Sequence, residues 1–565
     1  SVPISLAIIA LLTILTISYE QTIHAYPNGG GAYIVARDNL GEFPALVAAA
    51  ALLTDYILTV AVSISSGVAQ LVSAFPVLYE YRVTVAVILV FVIMVINLRG
   101  VRESGRALSL PTYFFVFIMY GMVITGFIKF FTGTLGTVID PPELELIGSM
   151  QPITFFLILR AFSNGTSAVT GVEAISNGIT AFKEPRSKNA GITLIFMSLI
   201  LGSLMFGITF LAYHLHSVPS EYETIISQIA RSIFSGRGLL YLAVIGATTI
   251  ILVLAGNTAF AGFPRLGALV AQDGFLPRQL TYRGSRLVYS YGIVSLALIA
   301  NLLVILFQAS VTNLIPLYAI GVFLSFTLSQ LGMAVRWHKS GKLKEGETYQ
   351  ERGSVLHRDS KWQLKMFFNG FGAVTTAVVM VVFAVTKFAD GAWIVILLLP
   401  ILISIFLVIS HHYKAVAGKL TLENYGSAPV ITRQRVLIPI GGVHRGTLAA
   451  LRYARTISDD ITAVHVSIDQ EETEKIQKKW DSWGEGYRLV ILESPYRLFI
   501  EPLLKYIDIV DERSQPNEVI TIVVPQFVPA KAWSNVLHTR TANTLRNVLL
   551  NRPDIVITEV PYQVK

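Results

Sequence analysis

Cysteine is absent from all 565 residues, which excludes disulfides, thiolate metal centres and cysteine nucleophiles and leaves the redox compartment open. Charge is scarce too. Asp, Glu, Lys and Arg make up 14% of the chain and the mean hydropathy is +0.60, a balance that belongs to polytopic membrane proteins. The glycine-rich run Tyr26-Pro27-Asn28-Gly29-Gly30-Gly31-Ala32-Tyr33 lacks the Lys-Ser/Thr ending of a phosphate-binding loop and reads as a turn or gate hinge. There is no GxGxxG, no short-period repeat and no low-complexity tract. No nucleophile, base and orienting group recur at usable spacing, so an enzyme is not expected. The first apolar stretch has no basic n-region, which argues against a cleaved signal peptide, and a start at Ser1 instead of Met points to residues upstream.

Long apolar runs are abundant. Eleven windows of spanning length occur near 3–19, 44–72, 83–98, 111–131, 153–179, 191–213, 238–256, 290–308, 313–335, 366–386 and 391–411. Basic loops (Arg99, Arg102 and Arg106; Lys183, Arg186 and Lys188; Arg265, Arg278, Arg283 and Arg286; and 336–365) alternate with acidic or neutral ones carrying Asp140, Glu143, Glu145, Glu221 and Glu223. The basic set is expected in the cytoplasm, with the tail there and Ser1 outside. The net charge of +8 is then a topology signal and no sign of nucleic-acid binding.

The transport domain is expected over 1–411 and a linker, with Gly418, Gly426 and Pro429, over 412–434. In 435–565, β-branched runs at 435–440, 461–468, 488–492, 519–525 and 555–560 alternate with helical patterns at 445–457, 471–483, 500–510 and 533–550. That alternation predicts a parallel α/β sheet with sites at the carboxyl ends of its strands. Gly441-Gly442, between strand and helix, suit an anion or nucleotide, and Trp533, His538, Arg540 and Thr541 offer stacking, charge and hydroxyl contacts beside the plainer reading of a surface helix.

Two carboxylates carry the functional reading. Asp55 and Glu173 lie inside spanning-length apolar segments, where a helix-centre carboxylate costs about 2.5–3.5 kcal/mol and usually marks an ion path or proton relay. Asp55, Thr59 and Ser63 recur at i, i+4 and i+8, and Thr166, Thr170 and Glu173 at i, i+4 and i+7, predicting two oxygen stripes on helical faces. The run Ser163-Asn164-Gly165-Thr166-Ser167, followed by Gly171 and Gly178, predicts a broken helix, which survives at membrane depth only where it lines a cavity. Carboxylate, hydroxyl and carbonyl oxygens together suit a hard alkali cation, and no His or Cys accompanies them for a transition metal. Tyr56 and Tyr318 are second-rank candidates, since tyrosines commonly sit in interfacial belts. The plainer alternatives are acids neutralised by Arg160 or kept protonated, and hydroxyls that back-bond within their helices.

The phrases TDYILTVAVSISSG (54–67), SNGTSAVTGVEAISNGITAFKEP (163–185) and IPLYAIGVFLSFTLSQ (315–330) resemble the KimA-type bacterial potassium importers of the KUP branch of the amino acid–polyamine–organocation superfamily. In the tail, VLIPIGG, ITAVHVSID and PQFVPAKAWSNVLH are similar to its universal-stress-type domain. The resemblance implies an all-α membrane domain of twelve helices in an inverted-repeat, LeuT-like fold. It also implies a cytosolic α/β domain through which the protein dimerises, residence in the bacterial cell membrane, and potassium import with protons. The potassium ligands it implies are Asp55, Tyr56, Thr59, Ser63, Thr170, Glu173 and Tyr318, with Glu173 or Asp55 coupling the proton. Inhibition by cyclic di-AMP in the tail is implied as well, for which Gly441, Gly442, His538 and Thr541 are candidates placed by strand ends. The family's first helix and its ion ligands are expected to lie before Ser1. The rivals are an amino acid or polyamine permease of the same fold and a nucleotide-sensing membrane receptor that no longer transports.

Overall fold

A computed structural model describes residues 2–29, 31–100, 105–142, 154–284, 286–423, 430–494, 498–515, 517–529, 541–550, 552 and 555–564. Arg102, Glu143, Glu145, Trp533, His538 and Arg540, singled out above, lie outside them, as do the side chains of Arg106 and Thr541. The chain divides into two units, Ser1–Lys419 and Leu420–Lys565.

The first unit is helical: α1 (Val2–Ala25), α2 (Ala32–Asn39), α3 (Glu42–Ala74), α4 (Arg82–Leu98), α5 (Gly105–Phe131), α6 (Phe155–Thr166), α7 (Val172–Asn177), α8 (Arg186–His214), α9 (Ile225–Ile233), α10 (Leu239–Gln272), α11 (Ser290–Leu306) and α12 (Val311–Lys342). A hairpin of β1 (Thr348–Gln350) and β2 (Val355–His357) precedes α13 (Trp362–Lys387) and α14 (Trp393–Leu420). Among the described residues, seven helical stretches are long and apolar enough to cross a membrane. The longest of them, Trp362–Leu420, is α13 and α14 joined across a kink at Gly391. α4 and α11 are apolar at 17 residues each, and α6 with α7 forms a broken segment. Residues 412–420, expected to open the linker, continue α14.

The core is centred on α3, which packs against α10 and α12. Its run Ala48–Ala51 is fully buried, and such small side chains let membrane helices approach closely. Outward faces carry large apolar residues such as Phe117, Phe131 and Leu239, 77–84% exposed, the surface that acyl chains solvate without penalty.

The second unit is a five-stranded parallel sheet ordered β5-β4-β3-β6-β7. The elements in chain order are β3 (Arg433–Ile440), α15 (Arg445–Ala454), β4 (Asp460–Ser467), α16 (Gln470–Trp483), β5 (Arg488–Glu493), α17 (Ile500–Glu512), β6 (Glu518–Pro529), α18 (Thr541–Leu549) and β7 (Ile555–Val564). Alternation along β3 separates two cores: Val436, Ile438 and Ile440 pack with Leu451 and Trp480, while Leu437 packs with Leu503, Ile507 and Leu545. Helices on both faces of a parallel sheet require this two-sided burial. Strand order reverses between β3 and β6, and in such sheets the crevice outside the carboxyl ends at that point receives ligands.

There, His444 caps α15, its Nδ1 accepting the Thr447 amide at 3.2 Å, and its ring lies 4.6 Å from that of Phe527. Partial burial holds the imidazole below its ordinary pKa. Only the unprotonated nitrogen can accept, so the cap is intact above about pH 6.5, the usual imidazole value, and is lost as pH falls through the lower folded value. Hydrogen-exchange protection factors of the α15 first turn in the whole protein, corrected for the intrinsic pH dependence of exchange, should therefore fall as the imidazole becomes protonated. His444→Asn, a capping residue without titration, should abolish that dependence.

Candidate ion-binding site

The break that precedes Glu173 is set by backbone conformation. α6 runs to Thr166, a tight turn covers Ser167–Val169, and Gly171 takes φ +92°, a left-handed geometry that glycine enters without Cβ strain. α7 then starts with Val172 and Glu173. The interruption thus begins at the end of the Ser163–Ser167 run and extends to Gly171. The second expected stripe is corrected accordingly: Thr166, Thr170 and Glu173 do not share one helical face, because the helix stops between them. Thr166 Oγ1 donates back to the Ser163 carbonyl at 2.8 Å and Thr170 Oγ1 to the Ser167 carbonyl at 2.8 Å.

The α3 stripe does lie on one unbroken helix. Asp55 is 6% exposed and Glu173 is 4% exposed, and the two carboxylates are close enough to interact electrostatically. Thr59, one turn from Asp55, donates to the Tyr318 hydroxyl at 3.2 Å, tying α3 to α12. Thr170 stands within hydrogen-bonding reach of the same tyrosine. Tyr56 faces α7, its hydroxyl accepting Asn177 Nδ2 at 3.0 Å. Ser63, two turns from Asp55, lies beside Gly256 of α10. Asp55, Thr59, Thr170, Glu173 and Tyr318 therefore converge, with Tyr56 on one flank and Ser63 further along α3. Asp55 Oδ1 is a buried acceptor with no protein partner.

Three neighbours were missed by sequence reasoning. Ser325 Oγ donates to Glu173 Oε2 at 2.9 Å and Tyr19 hydroxyl reaches the same oxygen at 3.5 Å. Asn177 holds Tyr56. Ser325 had a legible signal, since it follows Tyr318 by seven residues on one helix and so shares its face. Tyr19 had none, because α1 is far away in sequence. Arg160 does not neutralise either acid: it pairs with Asp390 Oδ2 at 2.6 Å, which Lys387 also meets at 3.0 Å. The reason is position, for α6 packs against α13 and Arg160 lies two turns before the break. Beside Tyr56 and Asn177 lies a cavity of about 850 Å³ that reaches Arg265 and Arg283.

Apolar helices of spanning length around a broken segment with buried acids have the architecture of a multi-pass membrane protein, and kinship to transporters makes it a transporter and no enzyme. Residues 1–407 match the family model for amino acid permeases, and residues 432–562 match the KimA potassium transporter C-terminal domain. The potassium transporter KimA of Bacillus subtilis (strain 168) is 41% identical over 567 residues, covering 100% of this chain and 90% of that protein. The chain belongs to the KimA potassium transporter family, built on an amino acid permease domain. The mitochondrial cationic amino acid transporter 3 of Arabidopsis thaliana is 25% identical over 56% of this chain and 53% of its own length. A manganese transporter of Eremococcus coleocola, a solved structure, is 12% identical over 74% of this chain and 88% of that chain, with a TM-score of 0.37.

Gly262 of α10 leaves room for Tyr56: a Cβ there would stand 2.5 Å from the tyrosine ring. Gly262→Ala should lower stability by about 1–3 kcal/mol through overpacking, read as a lower melting temperature in detergent. Tyr56→Leu in the same chain should restore most of the loss.

Proposed function

We propose that this chain is a secondary active potassium importer, coupled to protons and inhibited by cyclic di-AMP bound to its tail. The potassium ligands in this reading are Asp55, Tyr56, Thr59, Ser63, Thr170, Glu173 and Tyr318. The observation that carries it is the pair of buried carboxylates, Asp55 and Glu173, in one hydroxyl-lined site, one of them with a bare oxygen. Two acids of like sign buried together repel unless a cation or a proton joins them. Hydroxyls and carbonyls replace part of the hydration shell of a hard monovalent ion, and the membrane potential assists entry by about 2.3 kcal/mol per charge per 100 mV. The kinship to a potassium transporter supports the choice of cargo.

Glu173, at a helix break, and Asp55 are the proton-coupling candidates. The broken segment beside a buried acid supports an inverted-repeat transporter fold. An amino acid substrate needs a partner for its carboxylate, and among the described residues no Arg or Lys pairs with the acids at the site. For the tail, we read a cytoplasmic domain of universal-stress type that dimerises and places the nucleotide near Gly441 and Gly442, just past the end of β3. His538 and Thr541 remain candidates by strand-end logic. The loop charges support a bacterial cell membrane orientation with this domain inside.

In proteoliposomes under an imposed pH gradient, Asp55→Asn and Glu173→Gln should each lower potassium uptake at least tenfold relative to the parent. Normal uptake by both would refute the site.

A further inference from the structure

Glu173 is tied to its surroundings in two directions. One leads to Asp55. The other starts at Oε2, which takes the Ser325 hydroxyl at 2.9 Å and faces Tyr19 at 3.5 Å. Tyr19 in turn makes a side-chain hydrogen bond with Ser329. Beyond Ser329, further buried polar groups lie where α13 meets α12 and α1. Gln330, 1% exposed, accepts from Thr376 Oγ1 at 3.3 Å and packs against Gly372, where a Cβ would stand 2.8 Å from its Oε1. Its Nε2 is buried without a protein partner. One turn further, Asn369 joins the helices, taking the Ser18 hydroxyl at 2.6 Å and donating to Gln21 Oε1 at 2.7 Å. The next turn brings Lys365, whose Nζ lies 2.5 Å from Asp359 Oδ2, both side chains about one third exposed.

Positions 365, 369, 372 and 376 share one face of α13 and span about 16 Å at 1.5 Å per residue, roughly half of a 30 Å hydrocarbon layer. Helix association would be served by paired groups alone. A bare amide nitrogen at Gln330 is costly unless water meets it.

We infer that the proton carried by Glu173 leaves along this seam between α1, α12 and α13, apart from the cavity beside Tyr56. The inference rests on the proton-coupling reading above. In the step, the Glu173 O–H bond breaks and leaves the carboxylate. Water held by Ser329, Gln330, Thr376 and Asn369 takes the proton, and one proton emerges at the Asp359 end. The amides orient water and gain no net charge. Asp359 stays ionised there: burial pushes its carboxyl up, but hydrogen bonds from Lys365 and the Lys361 amide, with the charges of both lysines, bring it below the usual range.

The whole chain is reconstituted in liposomes that hold a pH-sensitive dye, and potassium and proton fluxes are measured together. Gln330→Met and Thr376→Val are near-isosteric and remove hydrogen bonding. Proton flux should fall at least tenfold in Q330M and about threefold in T376V, with the potassium-induced rise in melting temperature kept. Gln330→Asn should recover at least a third of the parental flux. Should Q330M fail to fold, T376V decides. Parental proton flux in the folded variants, or an equal loss of potassium binding, overturns the seam alone. A parent that moves potassium with no proton flux overturns the seam and the coupling reading together.

Discussion

The burial of two carboxylates in one apolar neighbourhood is the constraint on which the rest of the transport unit depends. Ionised acids in hydrocarbon are costly, and hydroxyl groups from several helices stand beside Asp55 and Glu173. Ser325 and Tyr19 serve Glu173, and Thr59 and Thr170 stand with Tyr318 around Asp55. Four helices far apart in sequence must meet for this. The alanine run of α3 and the helix break before α7 are what let them do so.

The break has a second consequence. On a continuous helix through 155–177 the direction of Glu173 would be fixed by helical periodicity alone, nearly opposite Arg160. The left-handed Gly171 re-aims the chain, so that Glu173 enters the site while Arg160 stays with Asp390. A local backbone choice thus decides which charges meet.

Much of this was legible in the sequence, and the limits have physical causes. Hydropathy placed the apolar helices because a bilayer demands about twenty apolar residues in a row, and the α/β alternation of the tail emerged with strand positions within a few residues. The α3 stripe was legible because helical periodicity is local. The Thr166–Thr170–Glu173 stripe failed because periodicity cannot foresee where a helix ends inside an apolar run, and glycines at 165, 171 and 178 offered several candidate breaks. Tyr19 was invisible since its role comes from a contact 154 residues away. Lys387, 6% exposed at the end of α13, was not singled out as a buried cation because it lies between two apolar windows, next to its partner Asp390.

The placement of the described cations bears directly on the proposed ion site. A resident guanidinium or ammonium at Asp55 or Glu173 would satisfy the carboxylates permanently, and breaking such a buried pair costs about 3–5 kcal/mol, far too much for rapid exchange. Here Arg160 and Lys387 are both engaged by Asp390, away from the site. The acids are left with neutral donors, which stabilise negative charge only in part and release it without leaving an unpaired cation behind. Asp55, with one oxygen unpartnered, keeps the larger deficit. In the proposed reading, the positive charge that completes the site comes from a mobile cation or a proton, since among the described residues no Arg or Lys pairs with either acid.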